Sequence, residues 1–470
     1  MRIQTFDDTI CALATAQGVG AIAMIRISGS GTYKIADKIF YSKNNKKLSE
    51  QPPYTLHFGE IRGEKPIDEV LVSCFRAPRS YTGEDMIEIS CHGSVYIQQQ
   101  ILKLCVENGA RLARPGEFTQ RAFVHGKMDL SQAEAVADLI ATENEAMHTI
   151  ALHQLKGGFA LQIRELRKQL LWFVSLIELE LDFSEEDVEF ANREQMLTLI
   201  LKIEDVVTKL INSFDSGNAI KNGVPVAIVG EPNVGKSTLL NVLLNEDRAI
   251  VSEIAGTTRD SIEDCMTING IKFRFIDTAG LRNTTDTIEA LGIERSIHKI
   301  KQATIILLLV NASEKFETID NQIKQVLAYM HQGTGRKELI LVVNKIDQAP
   351  MLHEGLMNML EAMYSQFAMV SIAAKQSRNI DQLQNTIVIK SQINTTTHGE
   401  VVITNIRHFE ALSRAYESIL RIKSGIADHI FTEFLSQDLR LVLDYLGEIS
   451  GEITNDEILG NIFKNFCIGK

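Results

Sequence analysis

The stretch Gly230-Glu231-Pro232-Asn233-Val234-Gly235-Lys236-Ser237-Thr238 has the spacing of a phosphate-binding loop, G-x-x-x-x-G-K-[ST]. Gly230 and Gly235 let backbone N–H groups turn inward around phosphate oxygens, and a following helix offers its N-terminus to the same charge. Lys236 then reaches β- and γ-phosphates, and the Ser237 hydroxyl suits Mg²⁺. The apolar run 224–229 reads as a strand before the loop, and 239–244 reads as a helix after it. That context separates the motif from a glycine-rich turn with a chance lysine.

Further along, Ser252-Glu253-Ile254-Ala255-Gly256-Thr257-Thr258 lies between the phosphate loop and a hairpin. A threonine there can close over a γ-phosphate and bind Mg²⁺. Asn269-Gly270 is the type I′ hairpin signal. The second hairpin strand delivers Asp277-Thr278-Ala279-Gly280, an aspartate for outer-sphere Mg²⁺ and a glycine amide for the γ-phosphate. The buried-looking run 339–343 ends in Asn344-Lys345-Ile346-Asp347. The Asp347 carboxylate can accept from guanine N1–H and the N2 amine together, whereas adenine would leave it unpaired. Ala373-Ala374-Lys375 stands where this class carries Ser-Ala-Lys, which affects one loop contact to the base but not the base preference. These motifs, in this order, predict GTP binding.

Hydrolysis needs a group to orient water. Leu281 follows Asp-Thr-Ala-Gly, where Ras-like switches carry a glutamine, and leucine cannot hydrogen-bond water. Glu289 is the candidate on spacing; it reads equally as an exposed helix carboxylate. Asn233 could give a carbonyl oxygen to a monovalent cation beside the phosphates, or simply stabilise its own loop.

The elements around these motifs divide the chain. Residues 1–122 read as mixed α/β, with strands around 20–29, 70–75 and 86–91 and a helix over 95–107. Arg26 and Glu88 sit at the end of one apolar run and inside another; on residue type alone each is a side chain on the solvated face of a strand. Residues 123–218 turn helical, with a capping box expected at Ser131-Gln132-Ala133-Glu134 and the acidic run 184–189 expected as a solvated loop. Residues 219–390 alternate strand and helix, and 391–470 are helical again. The expected fold class is therefore α/β and α multidomain. An N-terminal α/β domain precedes a discontinuous helical domain into which a Ras-like P-loop G domain is inserted.

Composition narrows the partners. A net charge of −12 over 470 residues opposes wrapping of nucleic acid over the whole surface, so any such contact must be local. The six cysteines are dispersed without a C-x-x-C pair, which disfavours disulfide frameworks and zinc and points to a reducing, cytoplasmic setting. The start carries neither a signal-peptide pattern nor a transit peptide. The longest apolar run, 305–310, is too short to span a bilayer, so no membrane partner is expected.

Read with both ends of the chain, these motifs resemble the MnmE (TrmE) family of tRNA-modifying GTPases over essentially the whole length. The most specific parts are the phosphate loop, Ile254-Ala255-Gly256-Thr257-Thr258-Arg259-Asp260, Asp277-Thr278-Ala279-Gly280-Leu281-Arg282 and the terminal Phe466-Cys467-Ile468-Gly469-Lys470. Arg114-Pro115-Gly116-Glu117-Phe118-Thr119-Gln120-Arg121-Ala122-Phe123 also looks like that family. The resemblance implies a tetrahydrofolate, 5-formyltetrahydrofolate or a relative, in the N-terminal domain, at positions matching Arg26, Glu88, Lys127 and Lys470. It shifts Arg26 and Glu88 towards function, since a guanidinium suits folate carboxylates and a carboxylate suits the amino-pterin edge. Cys467 matches a family cysteine linked to modification; the alternative is a small residue packed near the tail.

The resemblance further implies G domains that meet across K⁺, held by Asn233, Ser252, Ile254 and Thr257. Mg²⁺ falls to Ser237 and Thr258, and water positioning to Glu289. It implies a homodimer through the N-terminal domains and a flavoprotein partner, MnmG (GidA), that carries FAD. Together the two would install a carboxymethylaminomethyl or aminomethyl group at C5 of the wobble uridine of certain tRNAs. A ribosome-assembly switch similar to Era or Der is the alternative; it would need an RNA-binding module after the G domain, where this chain is helical. A GTPase-linked membrane iron transporter fails for want of transmembrane runs.

Overall fold

The computed structural model describes residues 6–42, 44–182, 193–248, 264–276, 298–330, 337–391, 401–428, 432–453, 456–464, 466, 468 and 469. They fall into two compact units, one of residues 1–142, 151–207 and 410–470, the other of residues 143–150 and 208–409.

In chain order the first unit begins with β1 (Ile10–Leu13), β2 (Ile22–Ser28), α1 (Thr32–Ile39), β3 (Phe40–Ser42), β4 (Thr55–Arg62), β5 (Pro66–Phe75) and β6 (Met86–His92). Then come α2 (Val95–Glu107), β7 (Arg111–Leu112), α3 (Glu117–Val124), α4 (Leu130–Ile140), α5 (Glu145–Leu155, of which residues 145–150 belong to the second unit) and α6 (Gly158–Asp182). Strands pair in the order β3-β4-β5-β6-β2-β1-β7, antiparallel except β1 with β7. Alternation sorts the two faces. Ile25, Ile27, Val70, Val72, Ile87 and Ile89 turn to one side and bury against α1 and α2. The same pleat sends Arg26 and Glu88 to the opposite face, directly across from each other in the β2–β6 register.

The expected strands and the helix Val95–Glu107 are present. The capping box is not at Ser131. Helix α4 starts at Leu130, and its N-cap is Asp129, whose carboxylate accepts from the Gln132 amide at 2.9 Å. The Gln132 side chain accepts from the Asp129 amide at 3.0 Å. An aspartate at the helix start also complements the helix dipole, which a serine does not. Ser131 donates to the same carboxylate, and Glu134 is buried instead of reaching back.

Long helices make up the rest of this unit. Helix α7 (Arg193–Asn222), whose residues from 208 on belong to the second unit, follows α6, and α12 (Ile406–Ala427, from residue 410 in this unit), α13 (Thr432–Ser450) and α14 (Asp456–Lys464) come from the C-terminal part of the chain. The periodic residues of α6 and α13 form the buried faces: Leu170, Phe173, Val174 and Ile177 on one, Leu439, Val442, Leu443 and Leu446 on the other. Helix α14 returns to the start of the helical part, where Leu459 and Phe463 pack with Leu130 and Ala133. The acidic run 184–189 lies outside the described residues.

The second unit contains β8 (Val224–Val229), α8 (Lys236–Arg248), β9 (Asp264–Ile268), β10 (Ile271–Phe275), β11 (Ile305–Asn311), α9 (Phe316–Met330), β12 (Glu338–Asn344), α10 (Pro350–Tyr364), β13 (Ala368–Ser371) and α11 (Ile380–Ser391). The sheet order is β13-β12-β11-β8-β10-β9, parallel except at the β9–β10 hairpin. Both faces are covered, which explains why 305–310 is apolar at every position without being a membrane span. Among the described residues no helix is long and apolar enough to cross a membrane. Strand β8 has β11 on one side and β10 on the other, so the loop after it opens at a switch point of the sheet.

Candidate nucleotide site and a charged pocket in the N-terminal sheet

The phosphate loop leaves the C-terminal end of β8, and α8 begins at Lys236. Two glycines are sterically required. Gly230 has φ +146°, and a Cβ there would lie 2.3 Å from the Leu309 carbonyl oxygen. Gly235 has φ +103°, and its Cβ would lie 2.4 Å from the Asn344 side-chain nitrogen. Asn233 also takes a left-handed conformation, φ +61°, tolerable for asparagine. Val234 is buried, whereas Asn233 and Thr238 are exposed and Ser237 is half-buried at the first turn of α8.

Lys236 folds back over its own loop, its ammonium donating to the carbonyls of Gly230 at 2.9 Å and Glu231 at 2.8 Å. Burial, with Lys299 nearby, pulls its pKa below the usual lysine range. An anion in the loop would relieve that penalty, so the site is built to be completed by negative charge.

Asn344 ties the site together. At the end of β12 and 2 % exposed, its Nδ2 donates to the Val234 carbonyl at 2.7 Å and its Oδ1 accepts from the Ala374 amide at 3.0 Å. One side chain thus joins the phosphate loop to the 373–375 loop. Lys345, at φ +64°, donates to the Asn233 carbonyl at 2.7 Å, a second strap over the same loop. Ile346, Ala373 and Ala374 are buried, Asp347 is half-buried and Lys375 exposed. Gln376 reaches the Asp347 carboxylate at 3.5 Å. The structure therefore brings together, at the carboxyl ends of β8, β12 and β13, Asn233 to Thr238, Asn344 to Asp347 and Ala373 to Lys375. The residues of the switch stretches (Ser252, Glu253, Ile254, Ala255, Gly256, Thr257, Thr258, Asp277, Thr278, Ala279, Gly280 and Glu289) lie outside the described residues.

The first unit holds a second cluster. Arg26 and Glu88 are not on a solvated face: their side chains are 11 % and 15 % exposed and pair at 2.7 Å. The guanidinium donates through Nε and Nη2 to Glu88 Oε1, and through Nη1 to the Gly469 carbonyl at 3.2 Å. It lies 5.2 Å from the Tyr81 ring centre and 5.5 Å from that of Phe118. Gly469 has φ +96°, and a Cβ there would lie 2.2 Å from the Leu13 carbonyl oxygen, so only glycine lets the tail lie against β1. Lys127 donates to the Pro78 carbonyl at 3.0 Å. Cys467 and Lys470 lie outside the described residues.

A buried ion network underlies this cluster. Arg121 is fully buried and pairs with Asp8, Glu84 and Glu117 at 2.7, 3.0 and 3.2 Å. Burial would raise the Glu117 pKa, but hydrogen bonds from Arg111, the Arg114 amide and Arg121 outweigh it and hold it at about 2. The network fixes the 82–84 turn, where Ser28 bridges to Thr82 and Glu84 at 2.7 Å each. Sequence reasoning did not single out Tyr81, Phe118 or the Asn344 double strap. Tyr81 carries no motif signal, and Phe118 was read only as part of a motif.

Comparison with known proteins bears on the whole chain. Residues 130–467 match the family described as the MnmE helical domain, and residues 9–127 match that described as the GTP-binding protein TrmE N-terminus. The chain is 55% identical over 468 residues to the tRNA modification GTPase MnmE of Bacteroides thetaiotaomicron, covering 99% of this chain and 100% of that one. It is 54% identical to the protein of that name from Bacteroides fragilis, with the same coverage, and 50% identical to that of Flavobacterium johnsoniae, covering 99% of both chains. The chain belongs to the MnmE family of tRNA modification GTPases.

Proposed function

We propose that this GTPase drives modification of the wobble uridine of certain tRNAs, acting with an FAD-carrying flavoprotein of the MnmG type to attach an aminomethyl or carboxymethylaminomethyl group at C5. The observation that carries this reading is the end-to-end match to relatives named for tRNA modification, including the helical and N-terminal parts that a bare G domain lacks. An assembly switch of the Era or Der kind has no such support.

In this reading the domains are 1–122, 123–218, 219–390 and 391–470, the helical domain being interrupted by the G domain. GTP lies over Asn233 to Thr238, and Asp347 selects guanine. Asn344 acts as a positioning residue by holding the two loops in register. The oxygen-rich first turn of α8 fits a hard cation, so Ser237 with Thr258 would hold Mg²⁺. Asn233, with Ser252, Ile254 and Thr257, would hold K⁺ where two G domains meet. These cations supply charge neutralisation for the transferring phosphoryl group. Glu289 orients the attacking water, since Leu281 cannot.

Arg26, Glu88, Lys127 and Lys470 would hold a tetrahydrofolate. The donor set fits it: a guanidinium for a carboxylate, a carboxylate for an amino-heterocycle, and the Tyr81 and Phe118 rings beside them. Each member of the Arg26–Glu88 pair would exchange its internal partner for the ligand. Cys467 acts beside that site, and the chain works as a homodimer through its N-terminal domain. The test is reconstitution: undermodified tRNA incubated with this protein, the FAD-loaded flavoprotein and a reductant, GTP with Mg²⁺ and K⁺, a tetrahydrofolate carrying a one-carbon methylene unit, and ammonium or glycine as the amine. A new C5-substituted uridine by mass spectrometry supports the reading; unmodified uridine with GTP consumed overturns it.

A further inference from the structure

A chain of net charge −12 must confine any RNA contact to a local surface. The groove between α6 and α7, about 540 Å³, has the makings of one. Its walls hold the only tryptophan of the chain, Trp172, which is 56 % exposed. Phe173 is buried, its ring edge-on to the indole at 4.9 Å between centres, while over half of Trp172 stays open. Lysines rise from both walls, Lys168 from α6 and Lys202 from α7. Both are exposed, and neither pairs with a carboxylate among the described residues. The one carboxylate on the lining, Glu165, accepts a hydrogen bond from Gln169 at 2.8 Å.

We infer that this groove binds an unpaired nucleobase and its flanking phosphates in an RNA loop. Trp172 is the stacking platform, and Lys168 and Lys202 are the phosphate contacts. Unpaired bases are what proteins read in RNA loops, and they are held by stacking on aromatic rings with cations along the backbone. A groove of this volume takes a base and its ribose, whereas two lysines on facing walls would repel the basic face of an amphipathic helix. The inference rests on the tRNA reading above and adds to it the place where the chain touches the nucleic acid.

Because Trp172 is the sole indole, its fluorescence reports this groove alone. The full-length protein is titrated with a short single-stranded oligoribonucleotide carrying a labelled end, following indole emission and label anisotropy together. The inference predicts that both change at the same RNA concentration. Trp172→Ala should weaken binding about 5- to 150-fold, the range of base–aromatic stacking. Lys168→Ala and Lys202→Ala should each lower the salt slope by about 0.7. Trp172→Phe, which keeps an aromatic ring over Phe173, should retain much of the affinity and the wild-type unfolding midpoint, separating stacking from folding. Anisotropy that rises with unchanged emission, and with unchanged salt slopes in the lysine variants, overturns the inference while leaving tRNA modification intact. Emission that responds to the flavoprotein but not to RNA makes the groove a protein-docking surface and equally overturns it. No RNA binding in either readout also overturns it, whereas the modification reading stands or falls on nucleoside analysis of cellular tRNA.

Discussion

Asn344→Ala should cripple nucleotide binding by freeing the two loops that frame the nucleotide site. The side chain makes two buried bonds, to the Val234 carbonyl at 2.7 Å and from the Ala374 amide at 3.0 Å. Val234 and Ala374 are 2 % and 1 % exposed, so water does not readily replace the lost partner. Each stranded backbone group costs about 1–3 kcal/mol. The free protein can let one loop relax, but nucleotide must reorder it, so at least one such cost is charged against binding. That is a loss of about 5- to 150-fold in affinity. The loss should be similar for GTP and GDP, because the strap holds the loops and does not read the γ-phosphate. Titration with a fluorescent guanine nucleotide measures it, with thermal unfolding as the check on folding. Affinity within twofold of the parent, in a folded variant, would refute the idea that Asn344 holds the two loops in register.

The other predictions are briefer. Asp347→Asn should weaken guanine nucleotides selectively by leaving the base edge mispaired, and competition among GTP, xanthosine triphosphate and ATP reads it. Gly469→Ala should push the tail off β1, since its Cβ would meet the Leu13 carbonyl, and so strip Arg26 of one acceptor; tRNA modification should fall while GTP turnover holds. Glu117 has a pKa lowered to about 2, so its contribution to stability is complete above the ordinary carboxylate value of 4.5 and is lost as pH falls towards 2; Glu117→Gln should flatten that part of the unfolding-midpoint profile. Replacing K⁺ by Na⁺ at equal ionic strength should slow GTP hydrolysis, and equal rates would discard the cation model.

Much of the nucleotide site was legible because each motif there answers a local steric demand. Gly230 and Gly235 are glycines because Leu309 and Asn344 leave no room for a Cβ. The strap through Asn344 was not legible, since it bonds residues 110 and 30 positions away from it in sequence. The Arg26–Glu88 pair was misread from residue type alone for the same reason. Strand alternation says which face a side chain takes but not whether α3, Tyr81 and the chain terminus cover that face. At α4 the period was right and the cap wrong: Ser131 and Glu134 have the spacing of a box, but Asp129 and Gln132 have it too, and the charge of the aspartate adds to the helix dipole what a serine does not.

The central claim is that this GTPase serves tRNA modification. The most direct measurement is nucleoside mass spectrometry of bulk tRNA from cells lacking the gene, with and without a restored copy. The account predicts loss of a C5-substituted wobble uridine and its return with the restored copy, but not with a Glu289→Ala copy that binds GTP without turning it over. Unchanged tRNA nucleosides alongside accumulating ribosome precursors would contradict it.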